Sequence, residues 1–143
     1  MGDSIIKYSL VEKAQNGILT DSSNVKIIQN EIRQIASAAI SFWNCSEGSI
    51  VGNTISESDI GIYCKESSPK IENNKLNGLN MGIFVKGRTL KSDTLPSTIK
   101  GNVISKSKNV AIILTDASKW QIESNQLIDN RCGINCNDSD PTI

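Results

Sequence analysis

The chain has no histidine among its 143 residues. Histidine titrates near neutral pH and is the commonest metal ligand. Without it no zinc or copper site is expected, and no cofactor. Lys plus Arg numbers 15 and Asp plus Glu numbers 15. A zero balance lacks the basic footprint of a nucleic-acid surface. There is no polybasic run to hold a membrane surface, and no apolar stretch long enough for a transmembrane helix. The opening Met1-Gly2-Asp3-Ser4 has neither the charged nor the apolar region of a signal peptide. Also missing is the three-and-four apolar spacing of TPR, ankyrin or HEAT repeats, which excludes a helical solenoid.

What is present is a hexapeptide frame: an aliphatic residue, two variable positions, Asn, one variable position, another aliphatic. Five copies are complete, at Ile27–Ile32, Ile50–Ile55, Ile71–Leu76, Ile99–Ile104 and Ile122–Leu127, and Ile5–Leu10 reads as a degenerate first copy. A second frame follows each, with only Gly or Ala before an Ile: Gly17-Ile18, Ala39-Ile40, Gly61-Ile62, Gly82-Ile83, Ala111-Ile112 and Gly133-Ile134. Two residues further on come Thr20, Phe42, Cys64, Val85, Leu114 and Cys136, so an apolar period of two runs through the segment. Period two is the signature of a strand. Leucine-rich repeats have a similar length but use Leu at most consensus positions. The frames therefore predict an all-β parallel β-helix of about six coils, a single domain over residues 1–143, with coils beginning near 5, 27, 50, 71, 99 and 122.

Stacked coils place equivalent residues about 4.8 Å apart. The column Asn30, Asn53, Asn74, Asn102 and Asn125 then reads as a structural ladder of amides, with Asn also suited to the left-handed backbone of a tight bend. Pro69, Pro96 and Pro141 precede coil starts and are expected to fix bends.

These Ile-x-x-Asn-x-Ile frames with their Gly-Ile steps resemble the right-handed parallel β-helix repeat proteins, the pectate-lyase-like superfamily, over nearly the whole chain. The resemblance implies the right hand. It does not choose a function, because such coils occur in lyases, hydrolases, epimerases, copper-maturation accessory proteins and F-box substrate receptors. The Asp-Pro-His-type motif of the epimerases is absent.

The four cysteines are too far apart in this register to form disulfides. Cys64 and Cys136 share a column three coils apart, about 14 Å, and Cys132 and Cys136 lie four apart on one strand, about 13 Å. They read as free thiols, with Cys45, past a strand end, the most exposed. Free thiols and the missing leader favour a reducing, cytoplasmic setting.

The outward column beside the Gly-Ile strands reads Leu19, Ser41, Tyr63, Phe84, Ile113 and Asn135. The next reads Asp21, Trp43, Lys65, Lys86, Thr115 and Asn137. Trp43, Tyr63, Phe84 and Ile113 with Lys65 and Lys86 form the expected binding face, since exposed aromatics mark contact surfaces. An insertion at 87–96 flanks it. A non-catalytic scaffold presenting this face to a protein partner, another subunit or a glycan is the leading expectation. The alternative is a carbohydrate-active lyase or hydrolase, or a fragment of one, using Asp116 and Asp138 on adjacent coils as a carboxylate pair. Neither Ile5 nor Ile143 sits behind an amphipathic cap, so the solenoid is expected to be incomplete or to self-associate through its ends.

Overall fold

The structure, a computed structural model, describes residues 4–45, 47–87 and 97–143. Every named strand pairing is parallel, and strands of one coil pair with the equivalent strands of the next. The result is a three-faced β-solenoid of about six turns. One face stacks β1 (Ser4–Lys7), β4 (Val25–Ile28), β6 (Ser49–Val51), β8 (Lys70–Glu72), β11 (Ser97–Lys100) and β14 (Trp120–Glu123) in that order. The second contains β2 (Leu10–Ala14), the first halves of β5 (Glu31–Trp43) and β7 (Thr54–Lys65), β9 (Lys75–Asn77), β12 (Val103–Ser105) and β15 (Gln126–Ile128). The third contains β3 (Ile18–Asp21), the second halves of β5 and β7, β10 (Met81–Lys86), β13 (Val110–Thr115) and β16 (Cys132–Asn137). No helix among the described residues is long and apolar enough to cross a membrane.

The core is made of columns rather than layers. Ile27, Ile50, Ile71 and Ile99 line the first face from inside, Ile32, Ile55, Leu76 and Ile104 the second, and Ile40, Ile62, Ile83 and Ile112 the third, all buried. Branched side chains suit this arrangement because their stiff rotamers pack regularly on a pleated surface.

Asn30, Asn53, Asn74 and Asn102 are buried and form the expected ladder. The Asn53 Oδ1 accepts the Asn30 backbone N–H at 2.9 Å and its side-chain N–H at 3.0 Å. In turn the Asn53 Nδ2 donates to Asn74 Oδ1 at 3.0 Å and to the Ile27 carbonyl at 3.0 Å. The pattern continues through Asn102 to Asn125.

Two expectations about this corner need correction. The left-handed residue is the one before each Asn: Gln29, Gly52, Asn73, Gly101 and Ser124 carry φ of 52°, 67°, 56°, 65° and 56°. The Asn is free to point inward because its predecessor makes the bend. The first coil also sits one residue later than its sequence suggests, since Ile6, not Ile5, pairs with Ile27. Ser9 therefore takes the Asn position, its N–H donating to Asn30 Oδ1 at 3.0 Å, and Tyr8 is the left-handed residue. Two adjacent Ile residues hid the register.

The Gly or Ala before each third-face Ile also has a steric cause. Both residues of the step are buried in the four central coils, so the chain turns two neighbours inward at once; the β5–β7 register shifts just ahead of it, between Ile35 and Ala38. A Cβ on Gly82 would lie 2.4 Å from the Ala111 carbonyl oxygen, and one on Gly61 2.6 Å from that of Gly82. Of the three prolines, Pro69 is buried. Pro96 and all of the insertion except Gly87 lie outside the described residues.

Candidate binding face

Alternation in β5, β7, β10 and β13 turns Phe42, Cys64, Val85 and Leu114 into the core and the residues between them outward. Cross-coil register places Ser41 opposite Tyr63, Tyr63 opposite Phe84, and Phe84 opposite Ile113. The neighbouring column pairs Trp43 with Lys65 and Lys65 with Lys86. All six residues of the expected face are thus brought together on one wall. The Tyr63 and Phe84 rings stack at 5.1 Å between centroids with 27° between planes. They are half-buried with Ile113, and partial burial raises the Tyr63 hydroxyl above its ordinary pKa. Trp43 is 36 % exposed, and Lys65 and Lys86 are exposed.

The stacking decides which surface is offered. Rings packed face against face along the coil axis present their edges to solvent, whereas a sugar needs an open ring face. Lys65 directly opposite Lys86 places two like charges in register, an arrangement that destabilises a sheet unless something answers it.

Asp116 and Asp138 lie on adjacent coils, as expected, with the Asp116 N–H donating to the Asn137 carbonyl at 3.0 Å. Both are exposed. Their backbones are left-handed, with φ of 53° and 47°, in line with Ser22, Asn44, Glu66 and Gly87 at the same corner of earlier coils. That bend accounts for Asp at both positions, since Asp adopts this conformation readily. A further cleft of about 400 Å³ opens at the corner between the second and third faces, lined by Ile35, Glu57, Ser58, Asp59, Gly78, Asn80 and Lys108. Its acids are already engaged: Gln34 Nε2 donates to Glu57 at 3.1 Å and Asn80 Nδ2 to Asp59 at 3.1 Å.

The thiols are unpaired. Cys45, expected to be the most exposed, is buried; its Sγ lies 3.0 Å from the Trp43 carbonyl oxygen and its N–H donates to Ser67 Oγ at 3.0 Å. The chain turns inward just past β5, so this cysteine plugs the corner. Cys64 is buried too, and loss of solvent, reinforced by nearby Cys45, pushes its thiol well above the ordinary range. Cys136 is the exposed one.

Residues 1–142 match a protein family described as periplasmic copper-binding protein (NosD). No curated protein and no solved structure matches the chain. The family is of right-handed β-helix type, which agrees with the parallel solenoid and with the resemblance carried by the repeats. Its periplasmic description overturns the expectation of a cytoplasmic setting. The inference failed because these thiols are unpaired for geometric reasons: two fill the core as small hydrophobes, so their state reports coil position rather than compartment. The described residues of this chain do not fit a copper site. Copper takes imidazole, thiolate or thioether donors; histidine is lacking, burial pushes the Cys64 thiol well above its ordinary pKa, and no three His, Cys, Asp or Glu converge among the described residues. Fold, repeat pattern and a match spanning almost every residue lead to one assignment: the chain belongs to the NosD family.

Proposed function

We propose that the chain is a non-catalytic β-helix binding module whose third face docks a protein partner, with Trp43, Tyr63, Phe84 and Ile113 as the apolar contact and Lys65 and Lys86 as the seat for an acidic group. The observation that carries this reading is the in-register Lys65–Lys86 pair beside a stacked aromatic pair. A carboxylate on the partner relieves the like-charge repulsion while the ring edges and Trp43 bury apolar surface, the mix of aromatic core and charged rim found at protein interfaces. The edge-on rings favour protein over glycan.

Site-specific photo-crosslinking in the host tests it. A crosslinker at Thr115, beside Lys86 in register, is expected to capture one protein species. The adduct disappears in Lys65→Glu with Lys86→Glu, two exposed changes that leave the core intact. A crosslinker at Ser56, on the second face, gives none. Equal adducts from both positions would remove the proposal. Trp43-dependent binding on a glycan array would move the reading to a sugar ligand, and polysaccharide turnover abolished by Asp138→Ala would move it to an enzyme.

A further inference from the structure

The corner between the second and third faces varies in length from coil to coil. Counted from the left-handed residue to the third-face Ile, residues 34–40 and 106–112 are one longer than residues 57–62 and 78–83. Two short corners, in the third and fourth coils, are thus set between long ones in the second and fifth. The second coil takes up its added residue at the register shift between Ile35 and Ala38. In the fifth coil Ser107 is buried while Lys108 and Asn109 are both exposed. The cleft of about 400 Å³ opens where the short corners are set back, and its lining draws on all four coils. Gly78 widens it, since among the described residues an added Cβ there would meet nothing within 4 Å.

We propose that this cleft binds a small zwitterion of the amino-acid class, its ammonium on Glu57 and Asp59 and its carboxylate on Lys108. Charges of both signs line the recess. Glu57 and Asp59 stand either side of the buried Ser58 on the third coil, and Lys108 lies on the fifth. Gln34 and Asn80 bond the two acids through neutral amides, which hold the carboxylates in place without cancelling their charge. No third acid joins them among the described residues, so the donor set is not that of a metal. A lone anion would meet two carboxylates, and a lone cation would meet Lys108. A molecule with both charges answers all three. The volume lies toward the lower end of the range for small-molecule sites, about 300–1,000 Å³. The backbones of the third and fifth coils are about 10 Å apart by two strand spacings, a gap that an amino acid with a charge-assisted hydrogen bond at each end can span. Ile35 offers its carbon atoms an apolar contact. The cleft shares no residue with the docking face, so the crosslink at Thr115 stands or falls without it.

Nuclear magnetic resonance titration of the intact chain is the test, with a panel of free α-amino acids as probes. Methylamine, acetate and glucose serve as the amine-only, carboxylate-only and neutral controls. At least one amino acid is expected to shift the Gly78 backbone and Asn80 side-chain amide signals saturably. Methylamine and acetate should bind about tenfold more weakly, the worth of one hydrogen bond to a charged group. Asp59→Asn keeps the acceptor for Asn80 and Lys108→Gln keeps most of the side chain, yet each should weaken binding by about the same factor. No saturable shift with any amino acid, full affinity in either variant, or glucose as the sole ligand overturns the proposal. The comparison of probes uses the unaltered protein, so the test holds even where a variant fails to fold.

Discussion

At the scale of single residues, the amide ladder separates positions that the sequence makes look alike. Asn53 and Asn125 occupy the same frame, yet Asn53 is fully buried between two other amides and Asn125 is half-buried at the last rung. Asn53→Ala leaves the Asn30 N–H and the Ile27 carbonyl without their partners. Each buried orphan costs about 1–3 kcal/mol, so this variant should lose about 3–5 kcal/mol. Asn125→Ala should lose roughly half of that, because water reaches its partners. Urea unfolding of the two variants checks the order, and equal losses would mean that the ladder is not a stack. The Asn column was legible because a buried amide must repeat its identity to bond to itself. The bend before it was not. Tyr8, Gln29, Gly52, Asn73, Gly101 and Ser124 all adopt the left-handed backbone with side chains in solvent, so nothing selects one residue type. The same blindness placed Cys45 outside: one residue past a strand end, the direction of the chain depends on φ, which spacing does not report.

Strands and corners show why some glycines matter and others do not. Gly82 precedes an inward Ile, and its missing Cβ is what allows the next coil to approach, with the Ala111 carbonyl oxygen 2.4 Å and the Ile104 Cγ2 2.7 Å from where that atom would stand. Gly78 has φ of 70°, with nothing within 4 Å of an added Cβ. Gln34, Glu57, Lys106 and Asp129 hold the same left-handed conformation at this corner of other coils. Gly82→Ala should therefore cost about 1–3 kcal/mol, the range for forcing atoms into a packed core. Gly78→Asn should change stability by less than about 1 kcal/mol, since Asn tolerates the conformation and lowers the entropy of the unfolded chain. Thermal melts of both decide it, and a harmless Gly82→Ala would mean that the coils can slide apart. The Gly-or-Ala rule was readable from sequence. Its cause was not, because period two predicts one inward residue at that step and the strand turns two inward.

For the whole molecule, the consequence of stacking is that protection depends on position along the axis. A solenoid gains its stability from neighbouring coils, so a coil covered on one side opens more easily than one covered on both. Among the described residues β16 pairs with β13 alone, whereas β7 is flanked by β5 and β10. The four cysteines sample this gradient, two of them in buried positions of the second and third coils and two on β16. In native buffer Cys136 should react first with a thiol reagent. Its partial desolvation raises its pKa above the ordinary thiol value, so the reaction runs slower than with a free thiol and speeds up as pH rises and thiolate forms. Cys132, half-buried, should follow. Cys45 and Cys64 should stay unmodified until the central coils unfold, and their labelling should then track the urea transition while that of Cys132 begins at lower denaturant. Mass spectrometry of quenched samples resolves the four sites. If Cys64 is modified as fast as Cys136 in the absence of denaturant, the column of Phe42, Cys64, Val85 and Leu114 does not face the core, and the outward assignment of Tyr63, Phe84 and Ile113 falls with it.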